Sequence, residues 1–156
     1  MSTHAHAGSE RVLIVGGGGL GMVLAGFLAH TGADVTLLVR PAQAASLSEP
    51  VVHVSGLVEI HAPVHVTSDV AALGAFDYLL LCVKGRDTGA ALAPLRGLRV
   101  DRALSLQNGV QKDEALIRVF GSERVLGAVS MIGGSLERAG HARHTLAGPT
   151  LVGALD

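Results

Sequence analysis

Arg11-Val-Leu-Ile-Val15 is short, β-branched and apolar without interruption, and Gly16-Gly17-Gly18-Gly19-Leu20-Gly21 follows it at once. An unbroken apolar run of this length suits a strand covered on both faces in a parallel sheet. From Leu20 the residues Leu20, Val23, Leu24, Phe27 and Leu28 recur at helical spacing, and Gly32 supplies a stop just beyond the last turn. Val35-Thr-Leu-Leu-Val39 reads as a second buried strand; Pro41 cannot continue its ladder, so the chain leaves the sheet near Arg40. The first forty residues therefore read as a βαβ unit with a glycine-rich turn at its first corner.

Further along, strands and helices keep alternating. Tyr78-Leu-Leu-Leu-Cys-Val83, Ala103-Leu-Ser-Leu106 and Val125 to Ser130 have the composition of buried strands, with a helix expected through Ala90 to Leu92 and another over Val110 to Phe120. One excursion interrupts the pattern. Val51 to Val54, Leu57 to Ile60 and Val64 to Val66 alternate partly and are separated by Ser55-Gly56 and Ala62-Pro63, which predicts short antiparallel strands. The fold class that follows is α/β, a doubly wound, mostly parallel sheet of Rossmann type with helices on both faces.

Gly16, Gly18 and Gly21 occupy the three positions of a G-x-G-x-x-G fingerprint. The motif is weak alone, but here it follows a strand and opens a helix inside a βαβ unit, the context that makes it informative. The first glycine permits the tight turn, the second lets backbone approach a pyrophosphate, and the third lets helix and strand pack closely. N–H groups at the helix start then face the anion. Gly17, Gly19 and Leu20 complete the expected phosphate-binding turn.

Which dinucleotide it suits depends on the end of the second strand. NAD- and FAD-binding versions carry a carboxylate there to accept hydrogen bonds from the ribose hydroxyls. This chain has Arg40, which cannot accept such bonds but can pair with a 2′-phosphate through a forked contact. The residue favours NADP and opposes an FAD enzyme. Two more strand ends carry polar residues: Lys84 directly after Val83, and Asn108 in Leu106-Gln-Asn-Gly109. Ligand groups in open α/β sheets gather at such ends. A lysine there offers a point charge to phosphate or carboxylate, and an asparagine offers both a donor and an acceptor.

Other function classes find little support. A chain of 156 residues, 49% hydrophobic, supplies one compact core. Its net charge of −1, with basic residues scattered, gives no footprint for nucleic acid or an anionic membrane. No apolar run reaches membrane-spanning length, and residues 1–10 read as a polar, disordered tail rather than a secretory signal. His4 and His6 in that tail, and His61, His65, His141 and His144 elsewhere, lack companion ligands and read as solvated side chains, so no metal is expected. Cys82, the single cysteine, cannot form an intrachain disulfide and reads as a small core residue in a reducing, cytoplasmic setting.

The glycine turn, Arg40 at the end of Leu37-Leu-Val-Arg40, the Val83-Lys84 pair and the Leu106-Gln-Asn-Gly109 turn stand in the order and approximate spacing of the ketopantoate reductases, also called 2-dehydropantoate 2-reductases, and the chain resembles the N-terminal half of that family. The stretches Gly127 to Gly134 and His141 to Gly148 resemble the end of the family's cofactor domain. The resemblance implies NADPH as hydride donor, a 2-keto acid substrate and a 2-hydroxy acid product such as pantoate, on the route to pantothenate. It implies that Arg40 holds the 2′-phosphate, Lys84 contacts the cofactor and Asn108 borders nicotinamide and substrate, with Gly133 a weaker backbone candidate.

In the family the general-acid lysine and a substrate-binding glutamate come from a helical C-terminal domain, and this chain stops at Asp156 before such a domain. Residues 11–156 are therefore expected to form an NADP-binding domain that is inactive alone. No catalytic residue is assigned within it; Lys84 lacks an evident orienting group, and Lys112 falls on a sheet-covering helix. An apolar surface is expected where the absent domain would dock, and with it self-association. The rival reading is a noncatalytic domain in which bound NADP stabilises a protein-recognition surface.

Overall fold

The structure, a computed structural model, describes residues 8–47, 49–109 and 111–155. His4, His6 and most of the expected tail lie outside the described residues, as do Val110, where a helix was expected to begin, and Asp156. Glu10 already belongs to the folded part, because its carbonyl accepts from the Asp34 N–H at 2.8 Å.

The first unit forms as its sequence predicts: β1 (Arg11–Val15), α1 (Gly19–His30) and β2 (Asp34–Leu38). Pro41 then opens a short helix, α2 (Pro41–Ser46), the position where a missing N–H costs nothing. β3 (Val51–Gly56), β4 (Ile60–Pro63) and β5 (His65–Thr67) follow, then β6 (Phe76–Leu81), α3 (Thr88–Leu92), β7 (Val100–Ser105), α4 (Lys112–Phe120), β8 (Val125–Ser130), β9 (Gly133–Arg138), β10 (His141–Leu146) and β11 (Thr150–Ala154).

Seven strands make the main sheet in the order β11-β8-β7-β6-β1-β2-β5. All neighbours from β5 to β8 run parallel, and β11 closes the sheet antiparallel to β8. The chain winds outward from β1 through β2 to β5, then returns to the other side of β1 at β6. The order reverses between β1 and β6, and the carboxyl ends of those strands diverge into a crevice suited to a ligand.

Alternation along β1 sends Val12 and Ile14 to one side of the sheet and Leu13 and Val15 to the other, and each pair enters a separate core. On the second side α3 and α4 contribute Leu92, Leu116 and Phe120. On the first side α1 contributes Met22, Val23 and Leu24, so helices do cover both faces.

That first side also holds a layer the sequence reading did not anticipate. A four-stranded sheet, β4-β3-β10-β9, lies on the outer side of α1 and buries Val52, Val54, Ile60, Ala62 and Ala142 against it. The helix is thus sandwiched between two sheets, which explains the unbroken burial from Gly21 to Gly26.

Two expectations for residues 51–66 need correction. Leu57 and Val58 are exposed in the turn between β3 and β4, not in a strand. β5 is not part of the antiparallel excursion; it pairs parallel with β2, Leu37 opposite Val66, because Val64 is buried and carries the chain back to the main sheet.

Candidate functional site

The glycine turn sits at the reversal of strand order. Gly16 adopts φ +112°, a conformation costly for any residue with a side chain, and its N–H donates to the Leu38 carbonyl at 3.0 Å. A Cβ at Gly21 would collide with the Gly16 carbonyl oxygen, and one at Gly19 would collide with the Gly134 backbone of β9. Those glycines serve close packing. Gly18 differs: as the N-cap of α1 it has nothing within 4 Å of where a Cβ would stand. No side chain caps the helix start, so its first N–H groups are free for an anion.

A cavity of about 610 Å³ opens in front of this turn, within the range of small-molecule and cofactor sites. Gly16, Gly17 and Gly18 form one wall, Arg40 and Gln43 flank it at the β2 end, and Lys84, Arg86 and Asp87 flank it after β6. Arg40 and Lys84, separated by more than forty residues in sequence, are thereby brought to one cleft. Arg40 is held by an ion pair with Asp87, Nη2 to Oδ2 at 3.2 Å. Lys84 is exposed.

Asn108 and Gly133 do not line this cavity. Asn108 is exposed in the turn after β7, one strand further from the glycine turn. Gly133 opens β9 opposite Leu146, and a Cβ there would stand 2.8 Å from the Leu146 Cβ; its lack of a side chain is accounted for by packing.

Several residues that build the cleft were not singled out from sequence. Gln43, on α2, donates from Nε2 to the Gly17 carbonyl at 2.5 Å and ties that helix to the turn. Gln107 donates from Nε2 to the Val83 carbonyl and to Thr88 Oγ1, each at 2.7 Å, locking the segment that carries Lys84. The sequence signal for Gln107 is the Leu106-Gln-Asn-Gly109 turn itself, in which the glutamine directly precedes Asn108.

Lys112 also has a larger part than its helical position suggested. Its side chain is only 11% exposed, and its ammonium donates to the carbonyls of Ser105 on β7 and Ala128 on β8. Those strands pair only at Ala103–Val125 and Leu104–Leu126. Beyond that point the ammonium substitutes for ladder donors.

Cys82 lies half-buried on the cleft wall, and desolvation pushes its thiol up to about 12, which favours the protonated form at neutral pH. His144 is not solvated: it is buried, donates from Nε2 to the Leu146 carbonyl at 2.9 Å, and meets Phe27 edge-on at 5.0 Å. It is a core histidine because its strand faces α1. His61 and His65 are exposed, and His141 stacks on His53, where loss of solvation, then Arg138 and His53, hold its pKa below the usual value. Among the described residues no group of three or more His, Cys, Asp or Glu is placed to hold a metal ion, and no helix is long and apolar enough to cross a membrane.

The cleft therefore presents a helix N-terminus, open backbone at Gly18 and cationic side chains at both flanks, a donor set that fits a dinucleotide bearing phosphates. Comparison with known proteins agrees in family. The chain is 32% identical over 147 residues to a 2-dehydropantoate 2-reductase of Archaeoglobus fulgidus, covering 94% of this chain and 48% of that one. It superposes on the 2-dehydropantoate 2-reductase of Geobacter metallireducens with a TM-score of 0.82 at 28% identity, covering 92% of this chain and 49% of the other. A PanE/ApbA family ketopantoate reductase from Ralstonia eutropha gives a TM-score of 0.78 at 29% identity, covering 91% and 48%. The chain thus spans about half the length of the relatives it matches. The family profile described as ketopantoate reductase PanE/ApbA matches residues 12–156, nearly the whole chain, and the chain belongs to that family.

Proposed function

We propose that this chain is the NADP(H)-binding domain of a cytoplasmic reductase that converts a 2-keto acid, ketopantoate being the leading candidate, to the 2-hydroxy acid. The observation that carries the reading is the convergence of Arg40 and Lys84 on the cleft in front of the open Gly18 backbone. The N-terminus of α1 receives the pyrophosphate, Arg40 the 2′-phosphate, and Lys84 a phosphate or ribose oxygen. Asn108, one strand further along the same edge, borders the nicotinamide and substrate, and Gly133 contributes backbone at most. Bound NADPH supplies the hydride; the chain's own residues hold its phosphates and position it.

Reduction also needs a proton donor for the developing alkoxide and a substrate pocket. We assign both to a helical C-terminal domain of the kind the family resemblance implies, and expect this chain alone to turn over negligibly. The exposed Val129 and Leu151, paired across β8 and β11, mark an apolar face open to that domain or to a second copy. Light scattering that shows a strict monomer at every concentration rejects the second copy.

Calorimetric titration with NADPH and with NADH, repeated on Arg40→Ala, tests the cofactor reading. Tighter NADPH binding that disappears in the variant is expected. Binding of neither nucleotide would remove the reading's main support.

A further inference from the structure

Two opposite charges meet at the β2 end of the cleft. Arg40 Nη2 stands 3.2 Å from Asp87 Oδ2, and Arg86 Nε approaches the same oxygen at 4.0 Å. All three side chains line the cavity. An exposed ion pair of this kind contributes little to stability, so folding gives no strong reason for it. Nor is Asp87 occupied as a helix cap: it is the N-cap residue of α3, yet its side chain makes no capping hydrogen bond.

The chemistry of the corner is informative. A dinucleotide with a free ribose 2′-hydroxyl is recognised by a carboxylate that accepts from the hydroxyls, and one with a 2′-phosphate by a guanidinium. In most such sites the choice is made at the end of the second strand, where this chain has only the arginine. Here the carboxylate arrives from the segment after β6 and lies beside that arginine, so both recognition groups occupy one corner.

Resting on the reading of the cleft as a dinucleotide site, we propose that Asp87 is a specificity-determining residue that allows this corner to accept the ribose with or without its 2′-phosphate. With NADH, the Asp87 carboxylate accepts from the ribose hydroxyls and remains paired with Arg40. With NADPH, the phosphate takes the place of the carboxylate between the guanidiniums of Arg40 and Arg86, and Asp87 turns toward solvent. Removing the carboxylate frees both guanidiniums for phosphate, relieves repulsion between two anions, and deprives NADH of its acceptor. The preference for NADPH is therefore held down by Asp87.

The test is calorimetric titration of the full chain, Asp87→Asn and Asp87→Ser with NADPH and NADH, with thermal denaturation to establish that the variants fold. Both substitutions are expected to raise the NADPH-to-NADH affinity ratio at least tenfold, through tighter NADPH and weaker NADH binding. An unchanged ratio in folded variants, with the unsubstituted chain still binding NADPH, overturns the role of Asp87 and leaves the cofactor reading standing. Failure of the unsubstituted chain to bind either nucleotide overturns both.

Discussion

Gln107 Nε2 donates to the carbonyl oxygen of Val83 at 2.7 Å, linking the turn after β7 to the last residue before Lys84. The same amide nitrogen donates to Thr88 Oγ1, so one side chain fixes both ends of the segment that presents Lys84, Arg86 and Asp87 to the cleft. Replacing it should act on ligand binding from outside the cleft. Gln107→Ala is expected to cost about 1–3 kcal/mol of stability through two lost hydrogen bonds. It is also expected to weaken NADPH binding several-fold; an affinity that stays constant while stability falls would separate the clamp from the site.

The glycines of the turn should divide by what each Cβ would meet. Gly21→Ala places a methyl against the Gly16 carbonyl and is expected to destabilise by about 1–3 kcal/mol, the usual range for overpacking. Gly18→Ala meets open space and should leave stability within about 1 kcal/mol, since only the N-cap preference changes. NADPH binding should nonetheless be lost in it, because the methyl occupies the space the pyrophosphate needs. Chemical denaturation and calorimetry on the two variants give the comparison, and a Gly18→Ala chain that binds normally would place the pyrophosphate elsewhere.

Lys112→Met keeps the apolar stem of the side chain and removes the ammonium that bridges Ser105 and Ala128. The two carbonyls and the neighbouring Asp113, 3.5 Å from the ammonium, lose their partner, and stability should fall by about 1–3 kcal/mol. Hydrogen exchange should rise first at β8, the strand that depends on the bridge. Unchanged exchange there would show that β7 and β8 hold together without it.

Cys82 makes a pH prediction. Its thiol, ordinarily near 9.0, is raised to about 12 in the folded chain by burial. Between those values the folded state retains a proton that the unfolded state has lost, so this contribution to stability is intact below pH 9 and declines as pH rises toward 12. Urea midpoints measured from pH 8 to pH 11 should drop less steeply for Cys82→Ala than for the unsubstituted chain. Parallel curves would mean the thiol is solvated.

Much of the main sheet was legible because its strands are covered on both faces and so read as apolar runs: Arg11–Val15, Val35–Val39 and Tyr78–Val83 fall within one or two residues of the strands Arg11–Val15, Asp34–Leu38 and Phe76–Leu81. The second sheet did not. No residue of β9 is fully buried and its inward-packed positions are Gly133 and Gly134, while on β10 the residues turned inward are Ala142 and His144, one small and one polar, so neither strand carries an apolar signature. His144 was misread for the same reason, since only its position against Phe27 and α1 makes it a core residue. In the cleft, Arg40 and Lys84 were legible from their places at strand ends. Gln43, Asp87 and Gln107 were not, because each acts through a neighbour that sequence separation hides: Gly17, Arg40 and Val83.

The sheet that backs α1 joins distant parts of the chain, with His53 of β3 beside His141 of β10 in parallel register. During synthesis the first βαβ unit leaves the ribosome long before its outer cover is complete. Until the residues of β10 emerge, β3 is paired only with β4, and the part of α1 that meets β9 and β10 is uncovered. The contact of Gly19 with Gly134 likewise waits for the last quarter of the chain. A nascent chain from which residue 133 has not yet emerged should therefore hold the phosphate-binding turn only loosely, and competence to bind nucleotide should arrive late, as β9 and β10 leave the ribosome.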